Sequence, residues 1–240
     1  MKNVLILTFM FISACCFGQI PTDWQVDGLK GKVKKNTTSW LLSDTAIVIE
    51  ETSYNKQGFK TEIRHYDDYS FSEQQKGIKP KCTALDKFSV LDTTSKREVI
   101  TYDCFSKKVL NKEVKRVEYW ESDKIYVISE EYLDSKEIRF TKLYFEGYRL
   151  MKSTSYVSSS QDDSSDNSDN RPTPTAYFYN EVGDLVKTHT YFDMVDSTGD
   201  RITTIAVVNK DEKGNVVEYK ERVEGTELGS NVSCKYEYYE

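Results

Sequence analysis

Proline occurs four times and histidine twice in this chain of 240 residues. Beyond residue 18 no apolar run approaches the roughly 20 residues that a membrane-spanning helix needs. Each scarcity removes a class of function. With His65 and His189 alone and no Cys-x-x-Cys spacing, the ligand set of a zinc site is missing. There is no Gly-x-Ser-x-Gly elbow to present a nucleophilic serine. Paired carboxylates such as Glu50-Glu51 and Glu130-Glu131 are adjacent, and adjacent residues of a strand point to opposite faces, so neither pair forms an acid–base couple by itself. No catalytic residue and no cofactor is therefore expected. A net charge of -6 argues against nucleic acid as a partner.

What is present begins with "MKNVLILTFMFISACCFGQ": one Lys, an apolar run from Val4 to Ile12, then small residues. This is the pattern of a secretory signal peptide. Two cleavage sites fit. One leaves Gln19 first and makes residues 1–18 the signal peptide; the other reads Ile12-Ser13-Ala14-Cys15 as a lipobox, with Cys15 lipidated. The expected location is the periplasm, the outer membrane or cell surface, or the medium. Residues 19–240 are expected to form a single domain, with a net charge of -7 once Lys2 is removed. Cleavage before Gln19 leaves Cys82, Cys104 and Cys234, an odd set whose pairing the spacing does not decide.

Seventeen Tyr and eleven Phe against four Pro suit strands. A phrase recurs around Gly58, Gly183 and Gly214, with Asn55, Asn180 or Asp211 three residues earlier and Tyr66, Tyr191 or Arg222 eight later. An Asx side chain that bonds its own backbone, followed by a Gly free to take positive φ, makes a chain reversal. After it, Ile63 and His65 alternate with Glu62, Arg64 and Tyr66, and Val186, Thr188 and Thr190 alternate with Lys187 and His189. Period-two alternation marks half-buried antiparallel strands. Residues 44–54, 96–105, 115–133, 138–157, 202–225 and 232–240 have the same pattern. The expected fold is all-β: about ten to fourteen strands in an antiparallel meander of successive hairpins, forming an extended, curved or partly closed sheet. A turn or two of helix is expected only around residues 80–86.

"YNKQGFKTEIRHYD", "YNEVGDLVKTHTYFD" and "KDEKGNVVEYKERV" resemble degenerate copies of the YD or RHS-type repeat, and "GLKGKVKKNTTSW" is similar to the leading strand of exported Bacteroidetes proteins built from such repeats. The resemblance implies stacked hairpins exported to the envelope. It does not bring the toxin-enclosing shell of the large family members, for which this chain is too short.

Residues 158–175, "SSSQDDSSDNSDNRPTPT", contain nothing to bury and are expected to be a flexible acidic loop. Asp162, Asp163, Asp166 and Asp169 are weak calcium candidates there, without the alternation, turn Gly and closing Glu of an EF-hand. Trp40, Tyr119, Trp120, Tyr126, Tyr132, Tyr144 and Tyr148 are the candidates for a stacking surface. The expected function is a non-catalytic exported scaffold that binds an envelope protein or glycan through a sheet face or an exposed edge strand. The alternative is a periplasmic carrier that encloses a small apolar ligand in a sheet-lined cavity, which strand closure and inward-facing apolar residues would favour.

Overall fold

The computed structural model describes residues 21–42, 45–66, 81–92, 95–159, 172–191, 193–194, 197–198, 200–227 and 229–240. One helical turn, α1 (Asp23–Val26), precedes the strands. These are β1 (Val33–Leu42), β2 (Thr45–Tyr54), β3 (Lys60–Tyr66), β4 (Cys82–Phe88), β5 (Lys96–Asp103), β6 (Val114–Ser122), β7 (Ile125–Tyr132), β8 (Glu137–Glu146), β9 (Arg149–Ser159), β10 (Thr173–Tyr179), β11 (Leu185–Thr190), β12 (Asp193–Met194), β13 (Ser197–Thr198), β14 (Arg201–Lys210), β15 (Val216–Val223) and β16 (Gly229–Tyr238). β12 and β13 pair only with each other; the other fourteen strands follow one another around a closed antiparallel barrel.

The hairpin meander is as expected, but the sheet is neither open nor partly closed. β1 pairs with β16, setting Asn36 opposite Tyr236, Thr38 opposite Cys234 and Trp40 opposite Val232. Closure has a simple cause: each terminal strand would otherwise present a row of unpaired backbone N–H and C=O groups, and pairing them satisfies both rows at once. The helix expected around residues 80–86 is also replaced, because Cys82–Phe88 is β4, held between β3 and β5. Ladder bonds on both sides outweigh the weak local helix preference of Lys-Cys-Thr-Ala-Leu.

Because neighbouring strands alternate in direction, the turns divide between two rims. The rim that receives α1 also carries all three repeated turns. Asn55 Oδ1 accepts from the amides of Gln57 and Phe59, Asn180 Oδ1 from Asp184, and Asp211 Oδ1 from Lys213 and Asn215. The amides of Gly58, Gly183 and Gly214 donate to the carbonyls of Asn55, Asn180 and Asp211 at 2.9–3.0 Å, with φ of 90°, 90° and 84°. The repeated phrase is thus one turn used three times on one rim. At Gly58 a side chain is excluded twice over, since a Cβ would stand 2.5 Å from Trp24 Cε3 as well as meeting the positive φ.

Cross-strand partners share a face, so the registers assign inside and outside. Lys35–Glu51, Arg64–Glu62 and Lys142–Glu121 are ion pairs of the outer wall. Leu85 and Val127 are buried on that wall between longer neighbours, Arg64 and Tyr102 for the first, Tyr119 and Lys142 for the second. The inner wall carries most of the remaining buried side chains, among them Tyr54, Val99, Tyr126, Phe145 and Val232.

Gly58→Ala is expected to cost roughly 3 kcal/mol in denaturant unfolding, against about 1 kcal/mol for Gly147→Ala, whose positive φ has open space around it. Equal losses would mean that Trp24 does not seal that turn.

Candidate functional site

The barrel interior has two unlike halves. The first lies against residues 21–32, which fold over one rim. Arg97, 4% exposed at its side chain, grips Asp23 bidentately at 2.6 and 3.0 Å. It also donates to Glu118 Oε2 through Nε at 3.0 Å and Nη2 at 2.8 Å, and through Nη2 to the Tyr126 hydroxyl at 2.9 Å. Tyr126 in turn donates to Glu118 at 2.6 Å, and Arg116 donates to the other Glu118 oxygen at 2.7 Å. Burial would raise the Glu118 carboxyl, but Arg97, Arg116 and the Tyr126 hydroxyl outweigh it and hold it below the usual range.

Further bonds fix the same segment. Asp27 accepts from Tyr54 at 2.6 Å and from Lys60 at 2.9 Å. Trp24 Nε1 donates to the Val33 carbonyl at 2.7 Å. Lys30 N donates to Asn215 Oδ1 at 2.6 Å, and Asn215 Nδ2 returns a bond to the Lys30 carbonyl at 2.9 Å. Residues 21–32 therefore form a strap whose every polar anchor is on a strand or turn of the barrel.

Elsewhere on the inner wall, His65 Nε2 lies 3.3 Å from Asp86 Oδ2 and Nδ1 lies 3.8 Å from Glu50 Oε2, while Thr101 donates to Asp86 at 2.6 Å. The hydrogen bond to Asp86 raises the His65 pKa, burial opposes it, and the charges of Asp86 and Glu50 add to the rise against Arg116. Cys234 faces the interior as a free thiol whose pKa burial pushes up.

The second half is the inner wall of β9–β11 and β14–β16. Paired registers place Ser153 with Thr175, Tyr177 with Thr188, Thr188 with Thr203, and Val207 with Tyr219 on this face, with Ile205 between Thr203 and Val207. These side chains point inward and are nevertheless only half-buried. The wall is lined by hydroxyls and rings, with contacts such as Ser153 Oγ to Tyr177 Oη at 3.2 Å and Thr175 Oγ1 to Thr190 Oγ1 at 3.0 Å. Glu221 and Arg201 are its charged members.

The seven aromatic candidates do not share one surface. Trp40 faces inward beside Val232 and Ile47. Trp120 packs on Tyr126 and Phe145 with centroids 5.1 and 5.5 Å away, and Tyr126 is 6% exposed. Tyr132 is also on the inner face, under the Arg139 guanidinium at 4.9 Å. Tyr119 and Tyr144 lie on the outer wall beneath Lys96 and Lys152, and Tyr148 sits exposed in the β8–β9 turn. Cys82 and Cys104 form a disulfide. Asp162, Asp163, Asp166, Asp169 and Cys15 lie outside the described residues. Among the described residues no group of three His, Cys, Asp or Glu is placed to hold a metal ion, and no helix is long and apolar enough to cross a membrane. No family model, curated protein or solved structure matches the chain.

Asp23, Arg97 and Glu118 were not singled out from sequence. Arg97 lies in "KREVITYD", where it reads as one of two adjacent basic residues, and only the register with β6 shows that it faces in. Arg97→Met is expected to cost about 3–5 kcal/mol, because it takes the bidentate partner from the buried Asp23 carboxylate and one of two guanidiniums from buried Glu118. Since His65 is raised above an unfolded value of about 6.5, its stabilising contribution is complete below that pH and is lost as pH rises through the folded value. His65→Gln should flatten the stability profile above about pH 6.5; an unchanged profile would remove His65 from the network.

Proposed function

We propose that this protein is a non-catalytic exported binding protein whose barrel interior receives a small, uncharged, amphipathic ligand. The observation that carries the reading is the inner wall of β9–β11 and β14–β16, whose side chains face inward yet keep solvent exposure. Side chains fill an eight-stranded barrel, whereas barrels of 16 to 18 strands keep an aqueous channel. Fourteen strands fall between, which suits a ligand-sized space. Threonine, serine and tyrosine hydroxyls beside Ile205 and Val207 offer both hydrogen bonds and apolar contact.

The carrier reading is preferred over a scaffold that binds through a sheet edge. β1 and β16 consume each other's edges, so strand addition to the barrel has no place to begin. Recognition through aromatics on one face loses support as well, since the rings divide between inside and outside. Export rests on the N-terminal pattern and accords with the Cys82–Cys104 disulfide, a bond of oxidising compartments. The outer wall carries ion pairs at mid-strand where a lipid-embedded barrel carries an apolar band, so the wall itself suits water.

The test uses neighbouring residues that face opposite ways. N-phenyl-1-naphthylamine, an uncharged fluorescent amphiphile, should bind saturably to the wild-type protein. Ile205→Glu, which places a second carboxylate opposite Glu221 in the interior, should weaken it by about tenfold or more. Ala206→Arg on the outer wall should leave it within about twofold, by the same reasoning. Thr203→Phe, which fills the space without charge, guards against a folding defect in the first variant. Equal behaviour of the inner and outer variants, or no saturable binding, would overturn the reading.

A further inference from the structure

The rim opposite the strap carries a patch that the interior does not explain. Phe105 is 72% exposed, Leu110 54% and Leu133 56%. They are not loose ends. Phe105 follows the disulfide-bonded Cys104, whose amide donates to the Thr83 carbonyl at 3.3 Å. The Leu110 amide donates to the Thr101 carbonyl at 2.8 Å, and the Leu133 amide to the Glu113 carbonyl at 2.7 Å, which brings the β7–β8 turn against the β5–β6 connection. Three large apolar side chains are thereby held outward on anchored backbone.

Charge surrounds them. Residues 104–115 contain Lys107, Lys108, Lys112 and Lys115 against Glu113 alone, in a chain whose net charge is -6, and Lys136 lies in the adjoining turn with Asp134. All five lysines are exposed, and none is in a salt bridge among the described residues. Asp103, at the base of the same connection, is occupied by the amides of Phe105 and Ser106 at 3.2 and 2.6 Å.

We propose that this rim docks on an anionic phospholipid surface, with Phe105, Leu110 and Leu133 entering the headgroup region and the lysines meeting phosphates. Apolar tips on separate turns offer no groove for a peptide, whereas a fluid interface admits each tip independently. Lysines on long stems then sit at phosphate depth, which is the pattern of interfacial binding.

Two measurements decide it, neither of which uses the interior ligand, so failure here is separable from failure of the carrier reading. The protein carries Cys15→Ser so that no acyl chain at that residue contributes. In co-sedimentation, it should bind phosphatidylcholine–phosphatidylglycerol vesicles and release with added salt, while binding phosphatidylcholine alone weakly. Phe105→Ser with Leu133→Ser should reduce binding by about tenfold or more, and Lys107→Glu with Lys108→Glu comparably. Val182→Ser, 72% exposed on the strap rim, should change nothing. In the second measurement, Phe105→Trp should shift its emission to the blue on anionic vesicles. Equal binding by all variants, no preference for anionic lipid, or an unmoved Trp emission would overturn the proposal.

Discussion

The pairing of β1 with β16 is the constraint on which the other features depend. Before it forms, the chain is a meander with two wet faces and two open edges; afterwards it has an inside. The strap illustrates the dependence. Asp23 must reach Arg97 on β5 while Lys30 reaches Asn215 beside β15. Without the β1–β16 pair those strands are eight neighbours apart. In a flat sheet that is roughly 38 Å, from a spacing of about 4.8 Å, whereas residues 23–30 with their helical turn extend about 17 Å. Only a sheet curved back on itself brings both anchors within reach.

The Arg97 cluster then fixes the strap in a particular place. Burying four charged or polar groups is costly, and a hydrophobic replacement of the whole set could be equally stable. What the cluster supplies is discrimination: a carboxylate at position 23 fits a guanidinium already oriented by Glu118 and Tyr126, and a misregistered strap would leave those charges unpaired. One half of the interior is filled and charged by this arrangement. The other is hydroxyl-rich and partly solvated, with Glu221 and Arg201 as its charged members, and that contrast supports a site there.

Much of the local architecture was legible in the sequence. The Asn or Asp three residues before Gly58, Gly183 and Gly214 foretold three turns, and alternation placed His65 and His189 on opposite sides of the sheet, where the registers put them. Reading failed where the deciding contact is distant along the chain. Closure joins residues about 200 apart, and neither Thr38 nor Cys234 bears a local mark of the other. Pro80 and the residues after it suggest a helical turn only when weighed without the strands on either side, which make Cys82–Phe88 a strand. Tyr119 and Trp120 were grouped as one surface, although neighbours in a strand must part to opposite faces. Arg97 needed its partners Asp23 and Glu118, 74 and 21 residues away, to become recognisable.

Native-state hydrogen exchange, resolved by residue, tests closure most directly. In a closed barrel β1 and β16 are interior members of the sheet, so their amides should be protected as strongly as those of β7 and β8 along the paired stretch from Asn36 to Trp40 and from Val232 to Tyr236. In an open sheet each would be an edge strand. Fast exchange of alternate amides in both segments, beside slow exchange in β7 and β8, would contradict closure and with it the enclosed interior.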